Sequence, residues 1–123
     1  MSEQDLVNTI IQYLNLSGAV AIRINSGLQA VEEKSGRRHV FRGAPAGTSD
    51  ILCCYRGRFI AIECKVGKNK PTPAQQAFLD RVKAAGGYTI VAWTLEDVIV
   101  ALAVPSSGGL LGLFSAYGSG NNA

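Results

Sequence analysis

Long apolar runs, paired cysteines and histidines are all scarce in this chain, and each shortage closes off a class of protein. No stretch is long and apolar enough to span a bilayer, and the start, Met1-Ser2-Glu3-Gln4-Asp5, lacks the basic-then-apolar pattern of a signal peptide. A soluble intracellular protein is therefore expected. The three cysteines, Cys53, Cys54 and Cys64, show no Cys-x-x-Cys spacing, and their count is odd. Lying inside apolar runs, they read as small buried thiols in a reducing compartment. The single histidine, His39, sits in a basic run and suits phosphate or solvent contact better than a metal. No internal repeat is visible. Only 17% of residues are charged against 47% hydrophobic, which describes a globular chain, and 123 residues suffice for one domain with a real core.

What charge there is lies unevenly. The formal net charge is a modest +3, yet Lys34, Arg37, Arg38, Arg42, Arg56, Arg58, Lys65, Lys68 and Lys70 all fall in the middle of the chain. A positive stretch around acidic residues suits a polyanion bridged by metal, such as nucleic acid. An ordinary solvated surface accounts for the same charges nearly as well.

Periodicity and punctuation give the order of elements. Ser2 reads as an N-cap with Asp5 three positions on, followed by Val7, Ile10, Ile11 and Leu14 at helical spacing until Gly18. Residues 19–24 read as a strand. Two turn signals, Asn25-Ser26-Gly27 and Lys34-Ser35-Gly36-Arg37, bracket a short strand whose return partner is His39-Val40-Phe41-Arg42. A flexible basic linker, residues 66–71, precedes Thr72-Pro73-Ala74-Gln75, a helix start with Thr at the N-cap, Pro at N1 and Gln at N3. Residues 88–93 read as a strand buried on both faces and ending at Trp93, itself a core residue. Thr94 caps a last helix striped by Leu95, Val98, Ile99 and Leu102. The pattern predicts an α/β domain over residues 1–104 with a mixed sheet flanked by helices. Residues 105–123 form a Gly/Ser-rich tail, too apolar for a plain linker, that could dock on the body, cover a partner subunit or stay loose.

The chemistry lies in the middle hairpin. Ile51-Leu52-Cys53-Cys54-Tyr55 and Phe59-Ile60-Ala61-Ile62 flank Arg56-Gly57, with Arg58 starting the return strand. With Arg56-Gly57 as the loop, Tyr55 faces Arg58, Ile51 faces Ile62 and Asp50 faces Glu63. Carboxylates opposed at roughly 5 Å repel unless a cation lies between them. Alternation puts Lys65 on the face of Glu63 and turns Cys64 away. Two acids at a sheet edge are hard oxygen ligands suited to Mg²⁺ or Mn²⁺, and the Cys64 main-chain carbonyl could add a third oxygen. A lysine beside them can orient an attacking water or stabilise charge building on a phosphate. The competing account, a plain Glu63–Lys65 ion pair, is worth at most ~1 kcal/mol if exposed.

Gly47-Thr48-Ser49-Asp50, then Glu63-Cys64-Lys65, then Gln75 at the next helix start resemble the PD-(D/E)XK nuclease superfamily, with Ser49 where its name has proline. Within it, Asn25-Ser26-Gly27 and Thr72-Pro73-Ala74-Gln75 make the chain most similar to the VRR-NUC group, the virus-type replication-repair nucleases. The likeness spans roughly residues 3 to 100. It implies a restriction-endonuclease-like α/β fold and a Mg²⁺- or Mn²⁺-dependent DNA endonuclease. Asp50, Glu63 and the Cys64 carbonyl would be the metal ligands, and Lys65 the catalytic lysine. Gln75 would help position the lysine or water, although its place in a capping box explains it equally. Glu3 would be a further acid near the metal, or simply a first-turn acid favoured by the helix dipole. Arg38, Arg42, Lys68 and Lys70 are the candidate DNA contacts. Stand-alone members resemble Holliday-junction resolvases, so the likeness further implies a homodimer acting on branched DNA in the cytoplasm of a bacterium or phage-infected host. The alternatives are a nicking or restriction-type nuclease, or a catalytically idle DNA-binding module.

Overall fold

The computed structural model describes residues 1–104; the apolar tail, 105–123, lies outside the described residues. Contacts divide the chain into two compact units, Met1–Trp93 and one beginning at Thr94.

In the first unit, helix α1 (Glu3–Leu16) starts at a capping box. Ser2 Oγ accepts the Asp5 N–H, and Asp5 Oδ2 accepts the Ser2 N–H. Of the predicted stripe, Val7, Ile10 and Leu14 are buried while Ile11 is half-buried, and Leu6 joins the core unpredicted; each buried side chain is worth about 1.5–3 kcal/mol. The strands follow as β1 (Val20–Arg23), β2 (Leu28–Glu32), β3 (Arg38–Arg42), β4 (Ile51–Tyr55) and β5 (Arg58–Cys64), then helix α2 (Pro73–Ala84) and strand β6 (Tyr88–Ala92). The main sheet runs β1-β4-β5-β6, antiparallel except for the parallel pair β5–β6; β2 and β3 form a separate two-stranded ribbon.

The hairpin β4–β5 has the expected register, with Tyr55 opposite Arg58 and Ile51 opposite Ile62. Arg56 and Gly57 both adopt positive φ, 52° and 78°, as a two-residue turn matched to strand twist requires. Both faces of β5 are buried from Ile60 to Cys64. α2 contacts β5 and β6, where its Leu79 and Val82 pack with Ala61, among the partly buried Leu52, Phe78 and Val91. α1 contacts β1 and β5. A mixed sheet with helices packed on it is a small α/β architecture, compatible with a restriction-endonuclease-like fold without being specific to it.

Three expectations change. Cys53 and Cys64 are buried, but Cys54 is exposed. It lies in a cross-strand row with Val20 and Phe59, 68% and 48% exposed, near the turn of the β4–β5 hairpin. β6 is not buried on both faces: among the described residues it has one neighbouring strand, and within it only Ala92 is fully buried. Trp93 is correspondingly 39% exposed rather than core.

The second unit contains α3 (Leu95–Ala103), again opened by a capping box, in which Thr94 Oγ1 accepts the Asp97 N–H and Asp97 Oδ2 accepts the Thr94 N–H. Val98 is buried. Among the described residues no helix is long and apolar enough to cross a membrane.

Candidate active site

Asp50 sits one residue before β4, and the strand pairing stops beside it at Ile51–Ile62. Its main chain is held because its carbonyl accepts the Ile24 N–H at 2.8 Å, extending the β1–β4 ladder. Its side chain is held as well: Oδ2 accepts the Cys64 N–H at 2.8 Å. The carboxylate thus continues the β4–β5 pairing where the backbone has left it, and its position is fixed by the fold.

Glu63, the next step in the register, is only 1% exposed. Its Oε2 lies 3.8 Å from Lys65 Nζ, while Oε1 is buried without a hydrogen-bond partner. Lys65 follows β5 directly, and its N–H donates to the Ala92 carbonyl at 2.9 Å, carrying the parallel ladder one step further. It too is buried. Burial above all, then the neighbouring Asp50, pushes the Glu63 carboxyl up to about 8; the Lys65 ammonium opposes this and Glu3 adds to it. At neutral pH the metal-free site therefore holds Glu63 mainly as the acid. The same burial, reinforced by Asp50 and Glu63, pushes the Cys64 thiol up to about 12, which leaves it inert as a nucleophile.

The structure therefore brings Asp50, Glu63 and Lys65 together. Glu3, at the start of α1, lies near enough for its charge to raise both Glu63 and Cys64. Among the described residues, however, no three His, Cys, Asp or Glu side chains form a ready metal cage. Gln75 is engaged in a cap: its Oε1 accepts the Thr72 N–H at 2.9 Å, and its own N–H donates to Thr72 Oγ1 at 3.2 Å. The helix it opens is coupled to the Asp50 loop through Gly47, where a Cβ would stand 2.6 Å from the Ala74 carbonyl oxygen.

The candidate DNA contacts separate into two groups. Arg38 and Arg42 lie on β3, in the ribbon. Lys68 and Lys70 are exposed on the segment after Lys65, which is not a free linker. The Asn69 N–H donates to the Val66 carbonyl at 3.1 Å, and Trp93 Nε1 donates to the Asn69 carbonyl at 2.9 Å. His39, expected to meet phosphate or solvent, is paired with Glu33.

Two residues near the acids escaped sequence reasoning. Arg23 ends β1; it donates to Gln4 Oε1 at 2.7 Å and Asn8 Oδ1 at 3.5 Å, and its charge reaches Cys64. Both acceptors are neutral, so the guanidinium is positioned without being neutralised. A charged residue closing an apolar strand was the available signal. Ser49 is fully buried, and its hydroxyl has no partner; nothing in its sequence context marks it apart from its place before Asp50.

The donor set suits a hard divalent cation. Mg²⁺ is usually held by one or two carboxylates and completed by water and substrate phosphate, so it needs no full protein cage. Asp50 and, once deprotonated, Glu63, whose Oε1 has no hydrogen-bond partner, offer the oxygens such an ion takes. Searches against protein-family models and curated proteins found no match for the chain.

Proposed function

We propose that this chain is a metal-dependent DNA endonuclease of the PD-(D/E)XK kind, most similar to the VRR-NUC group, hydrolysing phosphodiester bonds in branched DNA. The observation that carries this is the buried Glu63 oxygen without a partner, next to Asp50 and within reach of the Lys65 ammonium. Ionising a buried acid beside a second acid is costly unless a cation lies between them.

When bound, Mg²⁺ or Mn²⁺ would polarise the phosphate and acidify a water. Asp50, held by the Cys64 amide, and Glu63 without its proton would hold the ion. The Cys64 carbonyl is the candidate third oxygen. Lys65 keeps its ammonium beside Glu63, where it can orient the attacking water or meet charge growing on the phosphate oxygens. Arg23, anchored only by neutral amides, has its charge free for a neighbouring phosphate. Gln75 serves first as the cap that fixes the α2 entry against the Asp50 loop.

A small domain has little surface for reading bases, and phosphate contacts position DNA without specifying sequence. Shape is then what it can recognise. A homodimer would present two such sites to the two-fold symmetry of a four-way junction.

The test is incubation of the protein with a labelled four-way junction and a linear duplex, with and without Mg²⁺. Metal-dependent cutting of the junction is expected. Lys65→Ala should lower the rate by roughly 100-fold or more while junction affinity stays within about threefold. Binding without any cutting by the unmodified protein would make it an idle DNA-binding module. Absence of Mn²⁺ binding by calorimetry would remove the metal site altogether.

A further inference from the structure

The β2–β3 ribbon stands apart from the sheet that carries the acids. Its strands pair over five positions, from Leu28–Arg42 to Glu32–Arg38, and no further strand joins them among the described residues. Residues 30–40 are exposed throughout, and the register puts Val31 and Val40, 44% and 67% exposed, on opposite faces. A two-stranded hairpin alone in water is marginal, so an arm uncovered on both faces gains from whatever encloses it.

Charge identifies what that is. Between residues 28 and 42, Lys34, Arg37, Arg38 and Arg42 stand against Glu32 and Glu33, and Glu33 is already engaged by His39. Among the described residues, none of those four cations forms an ion pair with a carboxylate. Three of them crowd the tip. There the Glu33 N–H donates to the Arg37 carbonyl at 2.7 Å and the Gly36 N–H to the Glu33 carbonyl at 2.9 Å. At the root, the Gly43 N–H donates to the Gly27 carbonyl, the Ala44 N–H to the Asn25 carbonyl, and the Gly27 N–H to the Ala44 carbonyl, at 2.8, 3.0 and 2.8 Å. The next residue on that side, Ile24, donates to the Asp50 carbonyl. A basic arm is thus fastened at its base to the segment that holds the first acid.

We propose that this ribbon enters the major groove of a DNA duplex beside the cut, with Lys34, Arg37 and Arg38 meeting the phosphates along the groove walls. The groove is about 12 Å wide and admits a two-stranded ribbon. Five residues per strand, at about 3.4 Å each, reach about 17 Å. The assignment rests on the nucleic-acid reading above and adds that a duplex arm, rather than a single strand, is gripped. A duplex lines both sides of the inserted ribbon with anions, which matches its exposure on both faces and the cations gathered at its tip.

The experiment measures affinity without cleavage. The Lys65→Ala protein is titrated by filter binding against a four-way junction and a single-stranded oligonucleotide between 50 and 200 mM salt. It carries either the native ribbon or Lys34→Gln, Arg37→Gln and Arg38→Gln together. At roughly 0.9 per phosphate contact, neutralisation should lower the slope of log affinity against log salt by about 2–3 on the junction. The slope on the single strand should not move, and dimethyl-sulfate protection of guanine N7 in a junction arm should vanish. Arg37→Lys with Arg38→Lys should restore the slope. If the triple variant loses its far-UV circular dichroism, Arg38→Gln alone serves, with an expected fall of about 1.

An unchanged junction slope, an equal fall on single strands, or a change of oligomeric state as the only effect would each overturn the proposal. Its failure is separable from that of the nuclease reading. Slopes as expected in a protein whose unmodified form never cuts would leave the arm standing and remove the activity. Metal-dependent cutting with slopes unchanged would do the reverse.

Discussion

Replacing Glu63 with glutamine isolates the energetic cost of the acid pair. The carboxyl is raised from 4.5 to about 8, chiefly by burial and then by Asp50. The native state therefore binds more protons than the unfolded chain between those two values, and stability falls as pH rises through that window. The loss begins near the unfolded value and is complete above pH 8. At 1.36 kcal/mol per unit, it amounts to at most about 3 kcal/mol at pH 7 and about 5 kcal/mol above pH 8; side-chain rearrangement and water entry would relieve part of it. Glutamine has the shape of the protonated acid and does not ionise. In EDTA, urea unfolding at pH 5.5, 7 and 8.5 should therefore show the unmodified protein weakening steadily, with Glu63→Gln nearly level over the same span. Mg²⁺ or Mn²⁺ at 100 times its dissociation constant should return about 2.7 kcal/mol to the unmodified protein and nothing to the variant. Parallel pH curves for the two proteins would refute the claim that Glu63 carries this cost.

Asp50 acts on the same site through a different partner. Asp50→Asn keeps an oxygen for the Cys64 amide, so it should preserve stability in EDTA while losing divalent binding by calorimetry. Asp50→Ala should in addition cost about 1–3 kcal/mol for the orphaned amide. Gly47→Ala forces a side chain onto φ +92° and into the Ala74 carbonyl. It should cost about 2–4 kcal/mol in urea unfolding and depress cleavage with it. Thr72→Ala and Gln75→Ala each break one half of the same cap and should each cost about 1 kcal/mol. If Gln75 acts only through that cap, the two variants will lose cleavage equally; a further loss confined to Gln75→Ala would give it a role of its own.

The hairpin was legible because its information is local. Arg56-Gly57 fixes the turn, the turn fixes the register, and the register alone puts Asp50 beside Glu63. All three helix starts were likewise written in neighbouring residues, as Ser2/Asp5, Thr72/Gln75 and Thr94/Asp97. What escaped depends on contacts across the fold. Whether β6 has one neighbour or two is a matter of sheet order, and so is the exposure of Trp93 at its end. Cys54 is exposed together with its cross-strand neighbours Val20 and Phe59, and what covers that row is not encoded in the β4 sequence. The Asp50 side chain bonding to the Cys64 amide, the neutral anchors of Arg23 and the engagement of His39 by Glu33 all join residues distant in sequence or set by rotamer. Periodicity carries none of that.

The hydrogen bond from the indole of Trp93 to Asn69 has a practical consequence, because it is the only tryptophan in the chain. The intrinsic fluorescence of the protein reports on one place: the basic turn between Lys68 and Lys70, a few residues beyond Lys65. Displacement of that turn by a phosphate backbone would change the polarity and hydrogen bonding of the half-exposed ring, and with them the emission maximum. The protein thus contains its own optical probe for engagement at this end of the sheet, usable in rapid mixing without any attached dye.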